Sequence, residues 1–189
     1  MLFKTVIEVP ISHVGTEPIE TEHLLLRRFV ESDAKDIFNN WASDPEVTKH
    51  LSWKTHKNIR TTKKVLNNWL KLYKNPDFYQ WAITVKGTES PVGCINIHTA
   101  HIKSCGEVGY CLSRKYWNKG IMTESLKAVI DFGFNRIGFE RIQAYHKIDN
   151  VASGRVMEKA GMVQEGILRK YGEGGDGSLY DCVMYSITK

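Results

Sequence analysis

The chain has 189 residues, a formal net charge of +5, and 42% hydrophobic residues. This length predicts one domain over 1–189 with a packed core, which excludes a globally disordered chain. The positive charge is mild and no Lys/Arg-rich run is present, so we expect no nucleic-acid partner. Neither a long apolar run nor a signal-like N-terminus is present, so we expect a cytoplasmic protein with no membrane partner.

The first half of the chain mixes strand and helix patterns. Ser32 is the N-cap candidate of a helix whose apolar residues recur at helical spacing, and Pro45 can begin another. In chain order the pattern predicts an N-terminal arm (1–19), a strand (23–29), a helix (31–43), a short helix from Pro45 and a longer helix (58–74).

The second half changes to a strand period and then alternates strands with helices. It predicts a hairpin (78–86 and 91–100), a strand (106–113), a helix (121–136), a strand (141–148), a helix capped by Asn150 (151–162) and two strands around the turn 172–177. The order implies an α+β fold with a mixed, mostly antiparallel central sheet flanked by helices.

The cysteines and histidines do not form a metal-binding pattern. Cys94, Cys105, Cys111 and Cys182 have no CxxC spacing, and His98, His101 and His146 lie in or near strands without a cysteine partner at metal spacing. We therefore expect free, mostly buried thiols, structural histidines and no metal.

The stretch YWNKGIMTES, residues 116–125, joins a strand to a helix. Backbone N–H groups at a helix N-terminus are unpaired and, with the helix dipole, favour an anion. Asn118 and Gly120 tolerate left-handed backbone, and Lys119 adds positive charge. The segment is either an anion-binding loop or an ordinary capped turn.

A wider pattern favours the anion-binding loop. TEHLLLRRF, EVGYCL, YWNKGIMTES, RIQAYHKIDNVASGRVMEKAGMVQEG and LYDCVMYSI together resemble the GNAT superfamily of acetyl-CoA-dependent N-acetyltransferases, in its RimJ/RimL-like branch, from about residue 20 to the end. The resemblance implies the GNAT fold, acetyl-CoA as cosubstrate, and a loop whose amides hold the CoA diphosphate. The corresponding residues are Trp117, Asn118, Lys119, Gly120, Ile121, Met122 and Thr123.

The loop departs from the family pattern at both ends. Trp117 stands where the family has Gln or Arg, and Met122 stands where it has Gly or Ala. On a helix, the Met122 side chain can point away from the phosphates. The amides that would bind the diphosphate survive both changes.

The resemblance also implies positions for the chemistry of acetyl transfer. A backbone N–H of the strand at Cys111 and Leu112 corresponds to the oxyanion donor. Met157 stands where many members place a proton-donating Tyr, and the branch instead has an Asn followed three residues later by a Ser, here Asn150 and Ser153. Asn150 is assigned to cap the helix and to bond the pantetheine arm, and Ser153 to donate the thiolate proton or to position the thiol. Ser153 could otherwise serve only the helix backbone.

The base that deprotonates the amine is predicted among carboxylates. Glu107, on the strand that borders the cofactor, is the first candidate and would act through water, and Glu173, in the 172–177 turn, is its rival. Either could instead be a solvated or ion-paired structural carboxylate.

We expect direct transfer of acetyl to a primary amine in a ternary complex, with a protein N-terminus of the ribosomal type favoured by the resemblance. Polyamine, amino-acid or antibiotic acetylation, and a non-catalytic acyl-CoA-binding module, remain alternatives. The acceptor pocket is expected from residues 30–60, including Trp53, and 170–180. The protein would be a monomer or a homodimer.

Overall fold

A computed structural model describes residues 11–189, which form eight strands and five α-helices. The strands are β1 Ile19–Glu20, β2 Leu24–Arg27, β3 Tyr79–Val85, β4 Pro91–Thr99, β5 Cys105–Leu112, β6 Arg141–Lys147, β7 Val163–Glu173 and β8 Leu179–Thr188. The helices are α1 Ala34–Ile37, α2 Pro45–Thr48, α3 Ile59–Leu72, α4 Ile121–Phe132 and α5 Val151–Lys159. The helix predicted from Pro45 is confirmed, with the Asp44 carboxylate accepting from the Glu46 amide at 2.9 Å.

The strands form one sheet in the order β1-β2-β3-β4-β5-β6-β8-β7. All neighbours are antiparallel except β5 and β6, which are parallel because α4 crosses between them. The predicted α+β class with a mixed, mostly antiparallel sheet is therefore confirmed. The helices of the second half pack on one face of the sheet, with Leu126, Val129 and Met157 in its core, and α1 to α3 cover the other face around Trp41 and Leu66.

The segment predicted as a helix over 31–43 is not one regular helix. It runs from a 3₁₀ turn at Glu31–Asp33 through α1 into a π-helical turn at Phe38–Ala42. The prediction of Ser32 as N-cap is wrong. The carboxylate of Asp33 instead accepts from the Val30 amide at 2.9 Å and from Arg27 at 2.8 Å and 2.9 Å, so an ion pair with β2 determines where the helix begins.

The predicted arm lies partly outside the described residues, since 1–10 are not described. From residue 11 onward the segment is tied to the body of the protein, because the Ser12 amide donates to the Ile137 carbonyl at 2.9 Å. Thr16 is buried and donates to the Phe78 carbonyl at 2.8 Å. Within residues 11–189, no helix is long and apolar enough to cross a lipid bilayer.

The parallel pair β5–β6 is short, and this positions the site. Paired residues run from Cys105↔Arg141 to Glu107↔Gln143, and beyond that point the two strands are no longer paired. β5 stays paired with β4 as far as Leu112, while β6 continues along β8. The sheet therefore opens between the second half of β5 and the second half of β6.

Candidate active site

A cleft of about 950 Å³ occupies the opening between β5 and β6. One wall is the end of β5 with the loop that leads into α4, the other is the start of α5, and α2 with residues 49–51 lines the far end. Because α5 and α2 lie on opposite faces of the sheet, the cleft reaches from one face to the other. The cleft brings together the predicted cofactor-binding residues, which are Cys111, Leu112, Trp117, Asn118, Lys119, Gly120, Ile121, Met122, Thr123, Asn150 and Ser153.

The loop before α4 has the backbone that its sequence predicts. Asn118 has φ +60° and Gly120 has φ +79°, both left-handed. The first hydrogen bond of the helix runs from the Glu124 amide to the Gly120 carbonyl at 2.9 Å. Within residues 11–189, the amides of 118–123 form no hydrogen bond, so six donors are available at one helix N-terminus for an anion.

Positive charge surrounds these amides. Lys119 lines the cleft with its ammonium group 5.3 Å from the centre of the Tyr116 ring. Lys127 of α4 and Arg155 and Lys159 of α5 line the same cleft. None of these three was predicted as a site residue, and the available signal was a basic side chain on the exposed face of each helix. The arrangement suits a ligand with several phosphates.

Glu124 in the first turn of α4 fixes the loop to the opposite edge of the sheet. Its carboxylate accepts from the Thr21 hydroxyl at 2.6 Å and from the His23 amide at 2.9 Å. Burial alone would raise the pKa of Glu124, but the hydrogen bonds from Thr21 and His23 together lower it. Glu124 therefore stays ionised and holds the turn between β1 and β2 against the start of α4.

The two departures from the family loop pattern each have a structural role. Met122 is 5% exposed and packs in the core, so its side chain points away from the amides as expected. Trp117 donates from Nε1 to the Leu112 carbonyl at 2.8 Å, which attaches the loop to the end of β5.

The register of β4 and β5 decides which β5 amides can face the cleft. Hydrogen-bonded and non-bonded pairs alternate along an antiparallel ladder, and the Ser113 amide donates to the Val92 carbonyl at 2.8 Å. Cys111, two residues earlier and paired with Cys94, therefore directs its amide toward β4. The assignment of a Cys111 amide to the oxyanion is thus corrected, since only Leu112 and Tyr110 direct amides toward the opening.

The side chain of Ser153 lies in the cleft beside a residue that the sequence analysis did not assign. The Tyr110 phenol oxygen is 2.9 Å from Ser153 Oγ and donates to the Ser153 carbonyl at 3.1 Å. Burial raises the pKa of Tyr110 well above its ordinary value, so the phenol keeps its proton at neutral pH. The signal was present in EVGYCL, but the pairing needs the fold to be known.

Asn150 begins α5, but the prediction that its side chain caps the helix is wrong. No side-chain cap hydrogen bond is present, and the Ser153 amide instead donates to the Asn150 carbonyl at 3.0 Å. Because Asn150 lines the cleft, its side-chain amide is free to bond a ligand.

The two carboxylates predicted as bases do not line the cleft. Glu107 is largely buried, accepts from Gln143 Nε2 at 2.7 Å and lies 3.7 Å from His98 Nε2. Glu173 is exposed at the end of β7, paired with Leu179. Glu107 lies at the last paired position of β5, on the face of the sheet that Cys111 shares, so its carboxylate is held by β6 rather than directed into the opening.

All four cysteines are free and buried, as predicted. Cys111 lines the cleft with its sulfur 3.5 Å from that of Cys94. Its hydrogen bond with Cys94 and its burial raise the pKa of Cys111, so the thiol is protonated and poorly suited to nucleophilic attack. Among residues 11–189 no group of three or more His, Cys, Asp or Glu is arranged to hold a metal ion.

The two segments predicted to build the acceptor pocket meet in the fold. A Cβ atom at Gly175 would lie 2.6 Å from the Trp53 carbonyl carbon and 2.7 Å from the Lys54 amide nitrogen. Residue 175 must therefore be glycine for the β7–β8 turn to pack on the segment after α2. Lys147 of β6 also donates to the Lys49 carbonyl at 3.1 Å.

A mixed sheet that opens beside a helix N-terminus with free amides is an arrangement suited to an acyl-CoA-dependent acyltransferase. Comparison with known proteins agrees, because the profile described as "Acetyltransferase (GNAT) domain" matches residues 23–163. The chain belongs to the GNAT acetyltransferase family and is an N-acetyltransferase of that family.

Individual relatives cover nearly the whole chain. The uncharacterised N-acetyltransferase YoaA of Bacillus subtilis is 32% identical over 172 residues, which are 90% of this chain and 96% of YoaA. A GNAT-family acetyltransferase of Bacillus anthracis has a crystal structure with TM-score 0.79 and 29% identity, covering 91% of this chain and 98% of that chain. RimL, a ribosomal L7/L12 α-N-protein acetyltransferase solved with coenzyme A, has TM-score 0.79, 21% identity and coverage of 91% and 98%.

Proposed function

We propose that this protein transfers acetyl from acetyl-CoA directly to a primary amine, and that the amine is the N-terminus of a protein. The observation that carries the cofactor assignment is the group of six unpaired amides at 118–123, which open into the cleft beside Lys119. The diphosphate of acetyl-CoA would bind these amides, and Lys127, Arg155 and Lys159 would neutralise the remaining phosphate charge.

The residues that line the rest of the cleft support the same assignment for the thioester end. The pantetheine arm would run between β5 and β6, where the side chain of Asn150 is free to bond it. The amide of Leu112 or Tyr110 would stabilise the oxyanion. Such stabilisation is usually the largest single contribution to the rate enhancement of acyl transfer. Ser153, hydrogen-bonded to Tyr110, would give its proton to the leaving thiolate.

Three arguments favour a protein N-terminus as acceptor. Structural neighbours of this chain include ribosomal-protein acetyltransferases such as RimL. In addition, the β7–β8 turn packs on residues 53–54, so the two segments expected to build the acceptor pocket lie together, and an extended peptide could bind along their backbones. An α-amino group, with a pKa near about 7.7–8.0, also needs less help to lose its proton than a lysine amine.

The test has a binding step and a turnover step. Calorimetry with coenzyme A should give saturable binding, and the release of free thiol from acetyl-CoA should then be followed with peptides that carry free N-termini, with polyamines and with aminoglycosides. Fastest turnover with the peptides is expected. Binding without turnover on any amine would instead support a non-catalytic acyl-CoA-binding module, and fastest turnover with a polyamine or aminoglycoside would overturn the acceptor assignment.

A further inference from the structure

His50 is a titratable side chain in the cleft for which the sequence analysis gave no role. It follows α2 directly and lies at the far end of the cleft, next to Asp149, which precedes α5. Its side chain is only 18% exposed. If the phosphates bind at the start of α4, the acetyl group extends toward this far end, so His50 is close to where an acceptor amine would enter.

The backbone around His50 is held by both walls of the cleft. On the β5 side, Arg114 donates to the Asp44 carboxylate at 2.6 Å, and Asp44 begins α2. On the β6 side, Lys147 donates to the Lys49 carbonyl at 3.1 Å. The segment that carries His50 is therefore attached to both sides of the opening that forms the site.

The surroundings of the imidazole distinguish its two nitrogens. Nδ1 is buried, has no hydrogen-bond partner among the described residues, and lies 3.5 Å from the Asp149 carboxylate. A proton on Nδ1 would face this carboxylate. Nε2 is then the nitrogen that carries a lone pair and can face the cleft.

The charges near His50 come from three elements. Burial lowers the pKa of His50, and Lys49 and Lys147 act in the same direction, whereas Asp149 and Glu46 act to raise it. The net effect keeps the imidazole neutral at pH 7 and able to accept a proton.

We propose that His50 is the base that accepts the proton of the acceptor amine and that Asp149 is its positioning residue, an inference that rests on the proposed acetyl transfer. The amine nitrogen bonds to the thioester carbon, and the carbonyl electron pair moves onto oxygen. His50 Nε2 takes a proton from that nitrogen. The oxyanion then reforms the carbonyl, the C–S bond breaks, and the thiolate takes a proton from the Ser153 hydroxyl. Ser153 regains a proton from solvent and His50 releases its proton to solvent, so both side chains return to their starting states.

His50 meets the requirements of this role better than the carboxylates do. It lines the cleft, whereas Glu107 is engaged by Gln143 outside it and Glu173 lies at the exposed end of β7. Because burial lowers its pKa, the imidazole is also neutral at pH 7, as a proton acceptor must be.

The experiment measures kcat/KM against pH with acetyl-CoA and the fastest amine of the panel. The variants are His50→Gln, Asp149→Asn, Glu107→Gln and, as a matched control, His101→Gln in the exposed β4–β5 turn. We expect His50→Gln to lower kcat/KM by about 10²-fold at pH 7. It should also abolish the acid limb of the pH profile, which is the fall in kcat/KM that protonation of the base causes at low pH. Its affinity for coenzyme A should stay within about twofold of that of the unaltered protein.

Asp149→Asn provides a readout that a purely structural role would not change. The Asp149 side chain is 72% exposed, so the variant should fold. Losing its charge removes an influence that raises the pKa of His50, so the acid limb should move to lower pH. The ionisation of the amine itself is the same for every variant and cannot cause this shift.

Two results would overturn the proposal. One is an unchanged acid limb in both His50→Gln and Asp149→Asn, and the other is loss of the limb in Glu107→Gln alone. Failure of the proposed function has a different signature, because the unaltered protein would then bind no coenzyme A or release no thiol with any amine.

Discussion

The phenol oxygen of Tyr110, on β5, lies 2.9 Å from the hydroxyl oxygen of Ser153, on α5. The two residues are 43 positions apart in the chain and meet only because α5 packs over the opening between β5 and β6. The phenol can turn its one proton from the Ser153 carbonyl to the Ser153 hydroxyl oxygen, and that hydroxyl can then donate its own proton to a leaving thiolate. The pair therefore predicts the behaviour of a two-residue proton donor.

Ser153→Ala is expected to lower kcat by about 10²-fold, since the leaving thiolate loses its proton source. Tyr110→Phe should lower kcat less, because a water molecule can donate a proton to the Ser153 hydroxyl in place of the phenol. The double variant should be no slower than Ser153→Ala, as residues that act as one unit are not additive. Thiol release at saturating acetyl-CoA measures all three, and additive losses would contradict the pairing.

Gly120→Ala should weaken coenzyme A binding by about tenfold, which corresponds to about 1.4 kcal/mol. The φ of +79° at Gly120 strains any residue with a Cβ atom, and an exposed loop can relieve that strain by rearranging the amides that bind phosphate. Gly87→Ala is the matched control, because Gly87 has φ +85° and likewise has open space around its Cβ position.

Calorimetric titration with coenzyme A distinguishes these two glycine variants. Both should lose some thermal stability, but only Gly120→Ala should lose affinity. Equal affinities in the two variants would show that the loop conformation does not control binding.

Asp33→Ala should destabilise the protein by about 2–3 kcal/mol, measured by urea unfolding. The Asp33 side chain is 5% exposed and carries both the Arg27 ion pair and the bond from the Val30 amide, so its removal leaves partners unpaired. Ser32→Ala, at the neighbouring position, should change stability by less than about 0.5 kcal/mol. A larger loss of stability in Ser32→Ala than in Asp33→Ala would instead indicate that Ser32 caps the helix.

Glu165 predicts a pH-dependent contribution to stability. Hydrogen bonds from Arg141 and Ser186 lower the pKa of Glu165 to about 2. A lowered carboxyl pKa stabilises the fold above its ordinary value of 4.5, and this contribution is lost as the pH falls from there to about 2.

The corresponding measurement compares urea unfolding of the unaltered protein and Glu165→Gln across this range. Because the Glu165 side chain is 41% exposed, the difference at pH 7 should be no more than about 1 kcal/mol. Glu22→Gln, at a carboxylate that is 85% exposed, should show no such difference. A difference for Glu165→Gln that persisted at pH 2 would contradict the ionic origin.

The order of strands and helices was predictable because each element carries its own pattern. The hairpin of β3 and β4 and the helices at 59–72 and 121–132 were indicated by local periodicity and by turn residues. The loop at 116–123 was predictable for the same reason, since Asn118 and Gly120 favour left-handed backbone wherever they occur. Family resemblance then connected that loop with a cofactor.

Hydrogen-bond partners were less predictable than elements. Ser32 and Asn150 are both residue types that often cap helices, yet neither side chain caps its helix. The sequence does not show which other contacts take the place of the cap. At residue 33 the competitor was an arginine on β2, and at residue 150 the side chain lines the cleft while only its carbonyl bonds the first turn.

By itself, the sequence determined the backbone of this protein: its α+β order, its buried thiols and a strand–loop–helix junction with free amides. Only the tertiary structure decided which side chains share the cleft, bringing Tyr110 to Ser153 and His50 to Asp149 while holding Glu107 outside it. The physical reason is the distance along the chain between the residues that interact. Backbone conformation depends on residues a few positions apart, whereas the site depends on where β5 and β6 separate and on what packs over the opening.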